Sequence, residues 1–406
     1  MPANALRLGL FSAALAILAT TSVSAADQKK YDIGATDTEI KLGNIMPYSG
    51  PASSYSVIGK TEAAYFNKIN AEGGINGRKI NFISYDDGYS PPKTVEQARK
   101  LVESDEVLLI FNSLGTPPNS SIHKYMNSKK VPQLFVATGA TKWNDPREYP
   151  WTMGYQPNYQ SEGQIYAKYI LTNLPNARIA ILYQNDDYGK DYVKGMKDGL
   201  GAKAPSMIVA EESYEITEPT IDTHIVKLKF SGADVLLDFT PPKFAAQAIR
   251  KVGEIGWKPL HVLNSVSTSI GMVLKPAGLE YAEGIVSTAY NKDATDPRWE
   301  NDQGILAYKQ FLQKYVPTIN PNDLLAIGAY NEAETIVQVL KQCGDDLTRE
   351  NVMRQATNIE GFKPDGLLPG ITIDTSPTDY APMDSLQMVR FKGDRWVPFG
   401  DVISGR

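Results

Sequence analysis

The chain has 406 residues, 42% of them hydrophobic and 21% charged, with a formal net charge of −5. That is globular composition with enough material for two cores. A mildly acidic chain with no Lys/Arg cluster excludes the electrostatic footprint of a nucleic-acid binder.

Residues 1–26 read as an export signal. Arg7 is the one side-chain charge ahead of an apolar run from Leu8 to Ala19, and Val23-Ser24-Ala25 or Ser24-Ala25-Ala26 offers small residues for cleavage. The run is shorter than the ~20 residues of a spanning helix. The mature chain is therefore expected in the periplasm, cut near Ala25 or Ala26; the alternative is an uncleaved anchor. A single cysteine, Cys343, has no partner for an internal disulfide. His123, His224 and His261 sit far apart on no ligand spacing, so neither a metal site nor a cofactor is expected.

The first predicted strand is Ile40–Met46, ending at the turn Pro47-Tyr48-Ser49-Gly50-Pro51. A helix over Tyr55–Glu72 stops at Gly73-Gly74. Strand Ile80–Tyr85 ends at Asp86-Asp87-Gly88, and Pro91-Pro92 open a helix to Ser104. Val107–Phe111 is a wholly apolar run, read as a buried parallel strand. It stops at Asn112-Ser113-Leu114-Gly115-Thr116, and Pro117-Pro118 suit the first turn of a helix. Strand Val131–Val136 ends at Ala137-Thr138-Gly139-Ala140-Thr141. After Trp151–Tyr155 the break Gln156-Pro157-Asn158 marks a change of lobe. A second alternating block follows, with strands at 179–183, 207–210, 235–239, 260–263 and 285–288. The C-terminal part is helical over 299–315, 324–342 and 349–357, with short strands at Ile371–Ile373 and Leu386–Phe391. Such alternation predicts an α/β chain of two similar lobes, each a parallel sheet flanked by helices.

In open α/β sheets, ligands bind at the carboxyl edge of the strands. Three turns would gather there: Tyr48-Ser49-Gly50, Ser113 to Thr116 and Thr138 to Thr141. Small hydroxylic turns running into a helix start suit an anionic group such as a carboxylate, although Ser113 and Thr116 also read as plain helix caps. Tyr48, Tyr55, Tyr159, Tyr188, Phe239 and Tyr290 fall at strand ends and lobe junctions, where together they make a stacking pocket. Asp86-Asp87 and Asp186-Asp187 read as capping groups before helices. No nucleophile–base pair, Gly-x-Gly-x-x-Gly or P-loop is present.

Ile45 to Pro51, Asn70 to Lys79 (Asn-Ala-Glu-Gly-Gly-Ile-Asn-Gly-Arg-Lys), Val131-Pro132, Gly139-Ala140-Thr141 and Asp187-Tyr188-Gly189 resemble the periplasmic binding proteins of ABC importers for branched-chain amino acids and related compounds. The resemblance covers essentially the whole mature chain. It implies the two-lobed type I fold with three interlobe crossings, by analogy near Tyr155–Asn158, Ser287–Asn291 and Gly361–Gly366. The lobes would then be 27–157 plus 288–364, and 158–287 plus 365–406. It also implies that Ser113, Thr116, Gly139, Ala140 and Thr141 hold a ligand's carboxylate and ammonium while Tyr188 closes from the other lobe. Amino-acid-binding members place an acid in the loop that here reads Asn264-Ser265-Val266-Ser267, with no carboxylate. Ser113 to Asn119 and Phe135 to Trp143 resemble members that bind aromatic carboxylates.

The expectation is an exported, monomeric solute-binding protein, not an enzyme, that hands an aromatic acid to a permease and its ATPase subunits. Ser113, Thr116 and Thr141, with the N–H groups of Gly115 and Ala140, would grip the acid; Tyr48, Tyr188 and Phe239 would flank the ring; Leu114, Asn264 and Val266 complete the candidate set. The alternatives are a branched-chain amino-acid binder using Asp186, Asp187 or Asp293, an amide hydrolase using Asp86 or Asp187, and a ligand-sensing lobe pair of a receptor or repressor.

Overall fold

The computed structural model describes Met1 and residues 29–405; beyond Met1, the expected export signal lies outside the described residues. Five parallel strands form the first sheet: β1 (Glu39–Met46), β2 (Lys79–Asp86), β3 (Leu109–Phe111), β4 (Gln133–Val136) and β5 (Thr152–Gly154), in the order β2-β1-β3-β4-β5. Helices α1 (Ser56–Ala71), α2 (Pro91–Arg99) and α3 (Thr116–Lys129) connect them. β3 and β4 are buried along their whole length, as strands covered on both faces must be.

After β5 the chain enters α4 (Tyr159–Asn173) and a second block: β6 (Ile179–Gln184), α5 (Asp187–Leu200), β7 (Ile208–Tyr214), α6 (Asp222–Phe230), β8 (Val235–Phe239), α7 (Pro242–Glu254), β9 (Leu260–Leu263) and β10 (Val286–Ala289). These strands are parallel, in the order β10-β9-β8-β6-β7. Counted from the first strand of each block, both sheets have the order 2-1-3-4-5. Each therefore switches direction between its first and third strands, which opens a crevice at the carboxyl edge.

The chain then returns to the first sheet with α8 (Gln303–Tyr315), α9 (Leu324–Cys343) and α10 (Arg349–Ala356). Tyr308, Phe311, Tyr330 and Ile336 join Tyr65, Phe66 and Phe111 in one buried cluster. The rings of Tyr65 on α1 and Tyr330 on α9 meet edge to face at 5.0 Å, a geometry aromatic pairs favour. Cys343, the last residue of α9, is buried. Finally β11 (Ser385–Lys392) adds antiparallel to β10, and β12 (Arg395–Ser404) adds antiparallel to β11 at the sheet edge.

Three passages join the two units. The second and third run side by side: Lys292 N–H donates to Gly366 O (2.7 Å) and Leu368 N–H to Tyr290 O (2.9 Å). Leu367, Ile371, Ile373 and Met383 still pack in the first unit's cluster, so that core reaches past the change of lobe expected at 364/365. The predicted strand at Ile371–Ile373 is absent; Ile373 makes one isolated bridge, to Phe362. β12 escapes a sequence reading because Pro398 and Gly400 interrupt its alternation, which an edge strand tolerates. The helix expected from 299 starts at Gln303, after a separate turn at Pro297–Trp299.

Two acids are buried under the first sheet. Burial, and then the charge of Glu332, hold the Glu62 carboxyl well above its ordinary range; burial pushes Glu332 up to about 8. Glu62 Oε2 has Asn44 Nδ2 at 3.5 Å, and its Oε1 has no partner among the described residues. A carboxyl whose pKa rises on folding leaves stability intact below its ordinary 4.5 and erodes it as the pH climbs toward 8. Glu332→Gln should therefore melt like wild type at pH 5 and higher than wild type at pH 9, the gap opening by at most about 1.4 kcal/mol per pH unit across that window. Equal melting temperatures at pH 9 would show that Glu332 ionises without cost.

Candidate functional site

Loops at the carboxyl ends of both sheets line a cavity of about 360 Å³, partly open to solvent. The first unit contributes Tyr55 before α1, Tyr89 after β2, Leu114-Gly115-Thr116 after β3 and Ala137-Thr138 after β4. Gln156 comes from the first passage and Tyr159 from the start of α4. The second unit adds Tyr188 at the start of α5, Pro241 after β8 and Val266 after β9. Four tyrosines give it apolar faces with polar rims. Among the described residues, no Lys, Arg, Asp or Glu lines it.

Gly115 has φ +98°, and a Cβ there would lie 2.4 Å from the Tyr89 ring. A bare glycine lets that ring lie directly on the loop. Burial, then the charge of Asp186 from the second unit, push the Tyr89 hydroxyl well above its usual range, so it stays a donor. The Thr116 and Thr138 hydroxyls sit 2.5 Å apart. The first turn of α3 reads Thr116-Pro117-Pro118; the prolines have no N–H, and Asn119 N–H is taken by Gly115 O (3.1 Å). Thr116 is thus the residue of that turn that combines a hydroxyl with a main-chain donor, at the positive end of the helix dipole.

On the other side, the Tyr159 ring meets Tyr188 edge-on at 5.3 Å and stacks on Tyr192 at 4.6 Å, and Tyr192 stacks on Phe239 at 4.6 Å. Asn264 Nδ2 donates to the Tyr188 hydroxyl (2.6 Å) and to Thr240 O (3.1 Å). Beneath them lies Glu162, fully buried. It accepts from the hydroxyls of Tyr166 (2.6 Å), Tyr192 (2.8 Å), Thr288 (3.1 Å) and Ser265 (2.8 Å), and from Ser265 N–H (2.8 Å). These bonds fix the turn that carries Val266. The two units also meet outside the cavity. Lys142 Nζ reaches Asp187 Oδ2 at 2.8 Å and Ser120 Oγ at 3.0 Å, and Thr141 N–H donates to Asp191 Oδ2 at 2.7 Å.

Of the residues expected from sequence, Tyr55, Leu114, Gly115, Thr116, Thr138, Tyr159, Tyr188 and Val266 line the cavity. The others need correction. Ser113 is buried, and its hydroxyl goes to Asn119 Oδ1. The Thr141 hydroxyl donates to Asn158 Oδ1 (3.1 Å). The three-residue grip of Ser113, Thr116 and Thr141 is therefore not assembled. A Cβ on Gly139 would lie 2.2 Å from Pro157 O, so its smallness serves the first passage; Gly139 and Ala140 line a neighbouring crevice. The Tyr48 hydroxyl is bound to Ser84 Oγ (2.6 Å) and Ser49 Oγ to Asp86 Oδ2 (2.6 Å), both within the first unit. Phe239 is a buried ring of the stack, and Asn264 stands behind Tyr188. Tyr290 lines the adjoining cavity. Asp186 caps α5, accepting from Tyr188 N–H (3.0 Å) and Gly189 N–H (3.3 Å), as read. Tyr89, Ala137, Gln156 and Pro241 were missed. Each follows a strand of a predicted block or sits on the first crossing, so the same strand-end rule reaches them.

A family model described as "Periplasmic binding protein" matches residues 39–395. Among curated relatives, the "Leu/Ile/Val-binding protein homolog 7" of Brucella abortus (strain 2308) is 23% identical over 346 residues, 80% of this chain and 83% of that protein. The "Leu/Ile/Val-binding protein" of Escherichia coli K12 is 28% identical over 202 residues, 48% of this chain and 53% of that one. Among solved structures, a branched-chain amino acid ABC transporter protein from Thermus thermophilus with bound valine superposes with a TM-score of 0.81 at 18% identity, covering 91% of this chain and 97% of that one. A fatty acid ABC transporter substrate-binding protein from Thermomonospora curvata gives 0.76 at 19% identity, covering 93% and 96%.

Adding a methyl at the point where Tyr89 rests on the loop tests this geometry. Gly115→Ala should lower stability by about 1–3 kcal/mol in urea unfolding, from left-handed strain and displacement of the ring. A loss under about 0.5 kcal/mol would mean that the loop accommodates a side chain.

Proposed function

The chain belongs to the periplasmic binding protein family, and from that premise we propose that it is the exported solute receptor of an ABC importer. Its ligand is a small carboxylate, an aromatic acid of the benzoate, phenylacetate or hydroxycinnamate type, held between two lobes that close on it and delivered to the permease and its ATPase subunits. Proteins of this family bind solutes rather than transform them, and their fold is the two-lobed type I architecture. In this reading residues 1–26 are removed on export, the first crossing falls at 157/158, the second at 287/288 and the third between 365 and 384, and the receptor works as a monomer.

The observation that carries the ligand class is the lining itself: four tyrosine rings with hydroxyls and main-chain donors, and no charged side chain. The Thr116–Thr138 hydroxyl pair, bonded to each other, leaves one hydroxyl hydrogen that with the Thr116 N–H can meet an acid end, and Tyr55, Tyr89, Tyr159 and Tyr188 offer faces and edges to a ring. An α-ammonium would have no carboxylate on the cavity wall. Burying it unpaired costs several kcal/mol. The relatives' names favour the second reading, a branched-chain amino acid, for which Asp186, just behind the wall, is the available anion; it is already held by Gln184 and by the N–H groups of its own helix. The acid end is common to both readings.

Mass spectrometry of the molecule that co-purifies, followed by thermal shift against aromatic acids and amino acids, separates the two. A true ligand at 100 times its Kd adds about 2.7 kcal/mol of stability. Thr116→Val should weaken acid binding by about 1–3 kcal/mol in calorimetry, because an anionic acceptor loses its donor. Unchanged affinity would remove Thr116 from the acid site, and stabilisation by leucine but by no aromatic acid would replace the first reading with the second.

A further inference from the structure

We infer that the ligand space has a second, donor-rich chamber, and that it takes the far end of an elongated acid bearing a hydrogen-bond acceptor there: a phenolic oxygen, a carbonyl or a second carboxylate. The inference rests on the acid-binding reading above. Gln156 and Val266 line both the tyrosine cavity and a neighbouring cavity, partly open to solvent. Gln156 lies on the first passage between the units, and Tyr290 and Asn291, which also line the chamber, lie on the second.

The polar groups of this chamber are lopsided. Its hydroxyl donors on the second unit are already used: Ser265 and Thr288 bind Glu162 (2.8 and 3.1 Å), Thr268 binds Ser265 O (2.8 Å) and Ser269 binds Asp323 (3.3 Å). The side-chain acceptors on the two passages are used as well: Asn291 Oδ1 takes Asn331 Nδ2 (2.9 Å) and Gln156 Oε1 takes the Tyr159 hydroxyl (3.4 Å). Left over are three donors that bond to nothing among the described residues, the Tyr290 hydroxyl and the Nδ2 and Nε2 groups of Asn291 and Gln156. Burial pushes the Tyr290 hydroxyl well above its usual range, so it keeps its proton. Donors without acceptors select a ligand that brings one, and penalise one that leaves them bare. Because these donors stand on two passages, a molecule that satisfies them also touches the segments about which the lobes move.

The test is calorimetry on the full mature protein with three probes: benzoate, cinnamate and 4-hydroxycinnamate. The expected result is that 4-hydroxycinnamate binds about 10-fold or more tightly than cinnamate, and that Tyr290→Phe brings that ratio down to about 2. A wild-type ratio near 1, or a ratio that Tyr290→Phe leaves in place, overturns the chamber while benzoate or cinnamate binding keeps the acid reading. If none of the three acids gives heat or raises the melting temperature, the acid reading falls and the chamber with it.

Discussion

Glu162 is a buried carboxylate held by five donors, none of them a cation. An acid taken out of water is tolerated when its oxygens are fully hydrogen-bonded, and is costly otherwise. That requirement ties together four separate pieces of the second unit: α4, which carries it; α5 through Tyr192; the turn after β9 through Ser265; and β10 through Thr288. The Tyr159–Tyr192–Phe239 stack rests on the same framework. The second wall of the cavity is thus positioned by one polar node rather than by the loop sequences taken singly.

The two walls differ in how they are built. On the first unit the loop after β3 is shaped by backbone: a left-handed glycine, a tyrosine lying on it and two prolines that strip the helix start of donors. On the second, side-chain rings and a buried acid do the shaping. Between them the outer contact is light. The Lys142–Asp187 pair is 36% and 59% exposed at its two side chains, and exposed pairs contribute roughly 0–1 kcal/mol.

Much of this was legible in the sequence. Apolar runs and helical spacing gave nearly every strand and helix of both blocks, because buried parallel strands and amphipathic helices leave strong patterns. The strand-end rule led to Gly115, Thr116, Thr138 and Tyr188. It failed where a side chain had a closer partner that only the fold supplies: Asn119 for Ser113, Asn158 for Thr141, Ser84 for Tyr48. Strand-end position says which loop reaches the cleft, not which way a hydroxyl turns. Tyr89 was missed because it follows an acidic pair read as a cap, and Pro241 because a proline just past a strand end carries no side-chain polar group to single it out. Glu162 carries little local signal, because apart from Tyr166 on its own helix its partners come from three elements distant in sequence.

The C-terminal hairpin has one more effect. By adding β11 antiparallel to β10 and β12 antiparallel to β11, it moves the rim of the seven-stranded sheet onto a segment poorly suited to recruiting another strand: Pro398 lacks an N–H, and the pairing slips between Gln387 and Val389. The opposite rim, β7, carries Glu211 and Glu212, whose charges resist stacking of like strands. Crowded copies of this protein thus meet blunted sheet rims, a built-in guard against polymerising edge to edge.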